Sequence, residues 1–235
     1  MKLAIMQPYF FPYIGYWQLV NAVDCFVVYD NIQFSKSGWF YRNYILLNGK
    51  KVLFTLPLKK DSSYIDVKNR FLAENAREQI KKILHQIQNG YRKAPQFEKA
   101  FPLVKDIFLC EKNNLFDYIY NSIEQVCSYL GIVTPLIVSS TIDIDHKLKS
   151  KEKVIAINKA LSSNHYINLI GGKELYDNES FKRQNIQLSF LESDLPIYKQ
   201  FQFEFQPSLS IIDILMFNSP KEIKEMLEKY KLTKH

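Results

Sequence analysis

The chain is poor in the residues that build metal centres and disulfide frameworks. Only three of its 235 residues are cysteines, at positions 25, 110 and 127, and its four histidines are scattered. No two of these residues have the spacing of a zinc site, and no cysteine pairing suggests itself. The sequence therefore predicts no metal site.

Long apolar runs are also missing. None approaches the roughly 18 residues of a membrane-spanning helix. The amino terminus has one lysine, a short apolar run and then prolines and aromatic residues, which is not the pattern of a signal peptide. We therefore expect a cytoplasmic protein with no membrane span. A hydrophobic content of 47% and the absence of low-complexity segments favour a folded domain.

The familiar catalytic and nucleotide-binding motifs are absent as well. There is no P-loop and no Gly-x-Gly-x-x-Gly, and no Ser–His–Asp or Cys–His set can be assembled. What the chain does have is a net charge of +7, and nearly all of it lies between Lys36 and Arg70. This basic segment is either a solvated face or a site for a ligand with phosphate or carboxylate groups. Nucleic acid is a weaker alternative, because no nucleic-acid-binding motif is visible.

Hydrophobic periodicity predicts alternating strands and helices. The five predicted strands that would form the sheet are Lys2–Met6, Cys25–Tyr29, Pro135–Val138, Tyr166–Ile170 and Gln187–Leu191. This alternation indicates an α/β fold: a mostly parallel open sheet flanked by helices, of a nucleotidyltransferase-like or HUP-like kind. We expect one domain over residues 1–235, with an insertion at about 40–112 that holds a β-hairpin and a helical segment.

Local signals place the turns and helix ends. Asn48-Gly49 predicts the hairpin turn, and a helix is expected from Asn75 to Gln88, before Gly90. Other helices are predicted from Asn114 to a carboxyl-terminal cap at Gly131, over 18–23, from Ser150, over 209–217 and from a capping box at 219–222. In the helix over 209–217, Ser210 and Asp213 are interpreted as a second capping box.

The loop after the first predicted strand is the most unusual segment. It reads Gln7-Pro8-Tyr9-Phe10-Phe11-Pro12-Tyr13-Ile14-Gly15-Tyr16-Trp17 and would sit at the carboxyl end of a strand, where open α/β sheets bind ligands. Tyr13-Ile14-Gly15-Tyr16 occupies the place of the His-x-Gly-His turn of nucleotidyltransferases. Tyrosine can hydrogen-bond phosphate but carries no positive charge at neutral pH. We expect Tyr13 and Tyr16 to line a pocket, and Phe10 and Phe11 to be core residues.

Other strand ends are also small or polar. Gln7-Pro8, Asp30-Asn31, Ser139-Ser140 and Gly171-Gly172 would meet at one edge of a parallel sheet. Asp30 could be a general base, a metal ligand or an acceptor for a sugar hydroxyl; the alternatives are an Asx-turn or a salt bridge with Arg42. Gln33, Trp39, Arg42 and Asn43 add amides, a stacking face and an anion-binding fork.

Taken together, these stretches resemble the WbqC-like family of bacterial proteins. The resemblance rests on the 7–16 segment, Asp30 with Gln33-Phe34, Trp39 with Arg42-Asn43, Thr55-Leu56-Pro57-Leu58, Gly171-Gly172 with Tyr176, and Leu209-Ser210-Ile211-Ile212-Asp213. It implies a role in surface-polysaccharide synthesis, notably of O-antigen, and members are often labelled uncharacterised or putative transferases. Ile170 stands where the family pattern suggests a serine before Gly171-Gly172, which argues against a serine hydroxyl acting there.

The resulting hypothesis is a transferase acting on a nucleotide-linked or lipid-linked amino sugar, by acyl or aminoacyl transfer. Its catalytic candidates are Asp30 and Tyr13. Its ligand-binding candidates are Gln7, Pro8, Tyr9, Gly15, Tyr16, Gln33, Lys36, Trp39, Arg42, Asn43, Lys59, Ser139, Gly171 and Gly172. The partner would be a small anionic substrate such as a nucleotide sugar, and a nucleotide or acyl donor is the candidate cofactor. A non-catalytic binding or assembly factor of the same pathway is the alternative, so the enzyme question stays open, as does the oligomeric state.

Overall fold

The computed structural model describes residues 1–234 and contains eight strands. The strands are β1 (Lys2–Met6), β2 (Cys25–Val28), β3 (Arg42–Leu47), β4 (Lys50–Thr55), β5 (Leu136–Val138), β6 (His165–Leu169), β7 (Gln187–Ser193) and β8 (Tyr230–Lys234). Six of them form one sheet in the order β5-β2-β1-β6-β7-β8, and β3 and β4 form a separate hairpin. All neighbours in the large sheet are parallel except β7 and β8. The predicted α/β class with a mostly parallel sheet is therefore confirmed.

Eight α-helices accompany the strands over the described residues. They are α1 (Ile14–Ala22), α2 (Ala76–Tyr91), α3 (Phe97–Leu109), α4 (Leu115–Leu130), α5 (Ser150–Ala160), α6 (Asn178–Lys182), α7 (Ile211–Phe217) and α8 (Pro220–Leu227). No helix within residues 1–234 is both long enough and apolar enough to cross a membrane.

The order of the parallel strands reverses direction beside β1. Leu3 pairs with Cys25 of β2 on one side and with Tyr166 of β6 on the other. After β1 the chain adds β2 and then β5 on one side of β1. It then crosses back and adds β6 and β7 on the other side. Such a topological switch point leaves a crevice outside the carboxyl ends of the two central strands.

Each face of the sheet covers its own apolar core, because side chains alternate along a strand. Ala4 and Phe26 belong to the larger core, which includes residues of α1–α4, α7, α8 and the hairpin. Leu3, Ile5 and Val27 face the smaller core, which is closed by α5 and α6. The segment between β2 and β5 therefore packs into the same large core as the sheet.

Local capping signals were good predictors of the turns. Asn48 and Gly49 both have positive φ, of 50° and 75°, as a tight hairpin turn requires. Asn114 caps α4 by accepting from the Asp117 amide at 3.1 Å, and Gly131 ends that helix with φ 69°. The capping box at the start of α8 is also confirmed.

Three expectations were wrong. Helix α2 continues through Gly90 to Tyr91, so this glycine does not end the helix. It instead allows close packing against the hairpin, since a Cβ there would lie 2.3 Å from Leu47 Cδ2. Helix α1 begins at Ile14, four residues before the predicted start. Asp213 completes no capping box. Ser210 does cap α7, through the Ile212 amide, but the Asp213 carboxylate turns inward to other partners.

Candidate functional site

The switch point holds a cavity of about 930 Å³, which we call the principal cavity. Met6 and Gln7 at the end of β1 and Asn168 and Leu169 at the end of β6 form its centre. The remaining wall comes from the loop before α1, the residues after β2, the loop before α5, and Tyr64 and Asp66 of the chain after the hairpin. The predicted convergence of strand ends thus occurs at β1, β2 and β6.

Tyrosines supply much of this wall. Burial raises the pKa of Tyr9 to about 12, with a smaller contribution from Tyr13, and it raises the pKa of Tyr13 itself. Burial likewise raises the pKa of Tyr29 to about 12, ahead of smaller effects of Tyr176, Asp66 and Asp30. These phenols are therefore protonated at neutral pH. They can donate hydrogen bonds to ligand oxygens, and their rings offer stacking faces.

Lys153 is the most unusual residue of the principal cavity. It is only 3% exposed, and its Nζ lies 4.9 Å from the centre of the Tyr29 ring. Among the residues that the structure describes, it has no hydrogen-bond acceptor and no carboxylate within ion-pair distance. Burial lowers the pKa of Lys153, while the charges of Asp66 and Asp30 oppose that shift. The Lys153 side chain is almost completely buried, but Nζ itself remains accessible on the cavity side and has no anion beside it, so it could bind an anionic group of a ligand there.

Three further lysines make the same wall basic. Lys147, Lys149 and Lys151 lie on the loop before α5 and on its first turn. Lys151 is paired with Asp177 at 2.7 Å, and this contact lowers the pKa of that aspartate. Lys147 and Lys149 form no ion pair within residues 1–234. The wall therefore has a surplus of positive charge, which favours a ligand with phosphate or carboxylate groups.

Asp30 is not on the cavity wall. Its carboxylate is 2% exposed and accepts from the Ser139 hydroxyl at 2.8 Å, the Ser140 amide at 2.9 Å and the Ser140 hydroxyl at 2.6 Å. The salt bridge with Arg42 is not formed. The expectation of an accessible carboxylate is corrected: Asp30 and Ser139 join the ends of β2 and β5 behind the wall. With three donors already on its carboxylate, Asp30 is arranged as a structural acceptor in this conformation, and its role as a general base stays a prediction.

This buried group still influences the cavity through its neighbour. The Ser139 hydroxyl also lies 2.6 Å from Asn31 Oδ1, so its proton is shared between two acceptors. The amide of Asn31 then reaches His146 Nδ1 at 3.0 Å, and both of these residues line the cavity. If Asn31 Nδ2 donates, the neutral imidazole keeps its proton on Nε2. Asp30 is thus a positioning residue for Asn31 and His146.

The glycine of the predicted turn, Gly15, acts through close packing. A Cβ on Gly15 would lie 2.6 Å from the ring of Tyr13, so the glycine allows this ring to cross the start of α1. Tyr16 has no exposed surface, and its hydroxyl donates to the Gln7 carbonyl at 3.3 Å. The expectation that Tyr16 lines the pocket is therefore corrected. Pro8 is buried too and is absent from the wall.

The remaining predicted residues are divided between the principal cavity and other parts of the structure. Six lie on the wall of the principal cavity: Gln7, Tyr9, Tyr13, Gln33, Gly171 and Gly172. Lys36 and Lys59 line a different cavity. Trp39 and Arg42 lie against each other, and Arg42 donates to the Gly38 and Ser37 carbonyls. Asn43 is buried and donates to the carbonyls of residues 10 and 11.

Sequence reasoning missed the charged side of the site. The cavity residues absent from the predicted set are Tyr29, Asn31, Asp66, His146, Lys153 and Asn168, among others. One signal was available, because residues 146–153 read His-Lys-Leu-Lys-Ser-Lys-Glu-Lys at the start of a predicted helix. Placed after a strand end, this run could have been recognised as an anion-binding wall.

Fold and site together define an α/β protein with a basic, tyrosine-lined cavity at its topological switch point. The chain belongs to the WbqC-like protein family, whose model matches residues 7–225. It is also similar to the uncharacterised protein Rv1507c of Mycobacterium tuberculosis, with 27% identity over 96% of this chain and 97% of that protein. No solved structure gives a significant match. The family that the sequence motifs indicated is therefore confirmed.

Proposed function

We propose that the chain is a transferase that binds a phosphate-bearing amino sugar, nucleotide-linked or lipid-linked, in bacterial cell-surface polysaccharide synthesis. The observation that carries this proposal is Lys153, whose side chain is almost completely buried while its ammonium opens onto the principal cavity without an anionic partner. A phosphate group beside its Nζ would supply the missing charge. The association of WbqC-like proteins with polysaccharide synthesis supports the pathway.

The rest of the wall suits the other parts of such a ligand. The rings of Tyr9, Tyr13 and Tyr29 offer stacking surfaces for a base or a sugar. The amides of Gln7 and Asn168 can bind hydroxyl groups. At about 930 Å³ the cavity is near the upper end of the range usual for small-molecule sites, which run to about 1,000 Å³.

The proposed reaction is acyl or aminoacyl transfer to the sugar amine. A carbon–nitrogen bond forms at the acyl carbonyl, the bond between that carbonyl and the donor's leaving group breaks, and the amine loses a proton that the leaving group gains. Asp66 is the candidate base. It is partly buried on the cavity wall, and its carboxylate accepts no hydrogen bond within residues 1–234. This role replaces the one that the sequence suggested for Asp30.

A non-catalytic binding or assembly factor of the same pathway is the second candidate. It is favoured by the Tyr13-x-Gly15-Tyr16 turn, which has no histidine to act on phosphate and whose second tyrosine is buried. Binding alone does not discriminate between the two candidates. The enzyme predicts turnover of an acyl or aminoacyl donor that is lost in Asp66→Asn, whereas the binding factor predicts no turnover in either protein.

The first test is thermal unfolding in the presence of UDP, UDP-N-acetylglucosamine and other nucleotide sugars, with wild type and Lys153→Met. A ligand at a hundred times its dissociation constant stabilises by about 2.7 kcal/mol, and we expect this shift to disappear in the variant. Lys50→Met, an exposed position in the hairpin, is the matched control and should keep the shift. A full shift in Lys153→Met would contradict the proposal.

A further inference from the structure

A second cavity, of about 510 Å³, is lined in part by the chain segment after the hairpin that also contributes to the principal cavity. We call it the basic cavity; its lining residues are Phe34, Lys36, Tyr41, Thr55, Leu56, Pro57, Leu58, Lys59, Lys60, Asp61 and Arg70. Lys60 and Asp61 face it, whereas Tyr64 and Asp66, a few residues later, face the principal cavity. The segment at 32–34 is divided in the same way, since Ile32 and Gln33 line the principal cavity and Phe34 the basic cavity, and the two cavities have no lining residue in common.

Arg70 is the charged group at the bottom of the basic cavity. It is 4% exposed, and its guanidinium lies 4.3 Å from the centre of the Phe34 ring. Its Nη1 donates to the Ser62 carbonyl at 3.0 Å and its Nη2 to the Lys59 carbonyl at 3.5 Å, while Nε has no partner in the described chain. No carboxylate lies within ion-pair distance. Carbonyl dipoles alone compensate a buried positive charge poorly, so this residue lacks an anion.

Three lysines stand around the opening. Lys36, Lys59 and Lys60 are exposed, and none forms an ion pair within residues 1–234. The single acid of the lining, Asp61, accepts from the Ser62 amide at 2.7 Å and pairs with no cation. With Arg70, the cavity therefore has four positive charges against one negative charge, and its field attracts anions.

The floor of the basic cavity is apolar. Phe34 and Leu56 are almost completely buried beneath it, and Tyr41, Pro57 and Leu58 form half-buried walls. A bare inorganic anion would leave the half-buried apolar walls, Tyr41, Pro57 and Leu58, in contact with water. A ligand with an anionic head and an aliphatic or aromatic body would cover these walls and gain from burial.

From this combination we infer that the basic cavity is a second binding site, for an amphiphilic anion whose phosphate or carboxylate head meets Arg70 and the lysines and whose apolar body covers Pro57 and Leu58. The inference does not depend on the function proposed for the principal cavity, because it concerns different residues. In a transferase it would provide the place for a second substrate with an acyl or lipid portion.

The test is calorimetric titration with inorganic phosphate, ethyl phosphate and hexyl phosphate. Affinity should rise by up to about fourfold for each methylene group that is buried, so hexyl phosphate should bind far more tightly than ethyl phosphate. The double variant Lys59→Gln/Lys60→Gln should weaken hexyl phosphate about fivefold, as expected for two partly screened charges. Lys50→Gln/Lys51→Gln removes the same charge from exposed positions outside both cavities and should have no effect.

Two further experiments distinguish this site from the principal cavity and show whether the anionic head group comes from a membrane lipid or from a free ligand. Lys153→Met should keep the preference for hexyl phosphate over ethyl phosphate, whatever its effect on the binding of nucleotide sugars or of inorganic phosphate to the principal cavity. Sedimentation with phosphatidylcholine vesicles, with and without phosphatidic acid, shows whether the phosphate can be presented by a membrane, as opposed to a free ligand. The inference is overturned if affinity is independent of alkyl length, if the two double variants behave alike, or if the preference for hexyl phosphate is lost in Lys153→Met.

Discussion

Gly15 determines where the ring of Tyr13 lies. Alanine at a helical glycine usually stabilises a protein by up to about 1 kcal/mol. At this position the added Cβ would meet the Tyr13 ring at 2.6 Å and force it to move. Because the contact is with the far end of a side chain, Gly15→Ala should fold with nearly unchanged stability but bind nucleotide sugars more weakly than wild type does.

The control for this substitution lies on the cavity wall itself. A Cβ on Gly171 would meet no atom within 4 Å, so Gly171→Ala should keep the wild-type affinity. Thermal unfolding and calorimetric titration of both variants check the prediction. Equal affinities for wild type and Gly15→Ala would show that the position of the Tyr13 ring does not matter for binding.

The second prediction at the scale of single residues concerns Asp30. Its carboxylate accepts three hydrogen bonds from Ser139 and Ser140, so Asp30→Asn places an amide against at least one donor. The free energy of unfolding should fall by about 1–3 kcal/mol, the cost of leaving a buried polar group unsatisfied. Denaturant unfolding measures the change, with the exposed Asp143→Asn as control. An unaltered stability would contradict the structural role assigned here.

At the scale of elements, one carboxylate joins α7 to α2 and to the chain that follows β7. Asp213 has no exposed surface and accepts from Tyr91 at 2.8 Å, Tyr198 at 2.6 Å and the Gln200 amide at 2.7 Å. Tyr91 also accepts from the Leu46 amide of β3. Burial raises the pKa of Asp213 above its ordinary 3.8, although these three hydrogen bonds lower it.

The sign of the pH dependence follows from this shift. The folded protein binds the Asp213 proton more tightly than the unfolded chain does, so this contribution to stability is complete below about pH 3.8 and is lost as the pH rises through the folded pKa. The stability of wild type relative to Asp213→Asn should therefore decrease from pH 4 to pH 7. Denaturant unfolding across this range tests it, and a difference that grows with pH would be the opposite result. Asp143→Asn should show no such trend.

Across the whole molecule, the parts that could be predicted are those with local causes. Strand β1 and the hairpin turn at Asn48-Gly49 depend on short-range patterns of apolar residues and on backbone conformations that few residues adopt. The same holds for the caps at Asn114 and Gly131. The convergence of polar strand ends was also predictable, because parallel strands align their carboxyl ends.

Residue roles were harder to predict, because they depend on which neighbours the fold supplies. Asp30 and Lys153 are both charged residues near strand or helix ends, yet only Lys153 lines the cavity. Asp30 is enclosed by serines more than a hundred residues away in the chain. Sequence spacing does not contain that information. The basic segment at 36–70 shows the same limit. Its excess of positive charge could be seen in the sequence, but not which of its cations line the basic cavity and which, like Arg42, make structural contacts.

Strand β8 was not predicted from the sequence. Its role is to complete the large sheet at the edge formed by β7. It pairs antiparallel with β7 from Ser189 opposite Lys234 to Ser193 opposite Tyr230, and so covers the edge of an otherwise parallel sheet. Lys231 and Lys234 are exposed on it, and charged side chains on an edge strand discourage pairing with other chains. The short polar sequence has little apolar periodicity, so only the exposed edge of β7 explains why it forms a strand.

Removing residues 230–235 should therefore uncover β7, whose side chains Leu188 and Phe190 are buried. We expect lower thermal stability and concentration-dependent association, because a free strand edge pairs readily with another copy. Thermal unfolding and light scattering at several concentrations measure both effects. Leu232→Thr keeps the backbone pairing while changing a half-exposed side chain, and it should behave like wild type. If the shortened chain matched the intact one in both measurements, β8 would be an accessory strand, and the edge of β7 would have to be protected by its own twist and short length.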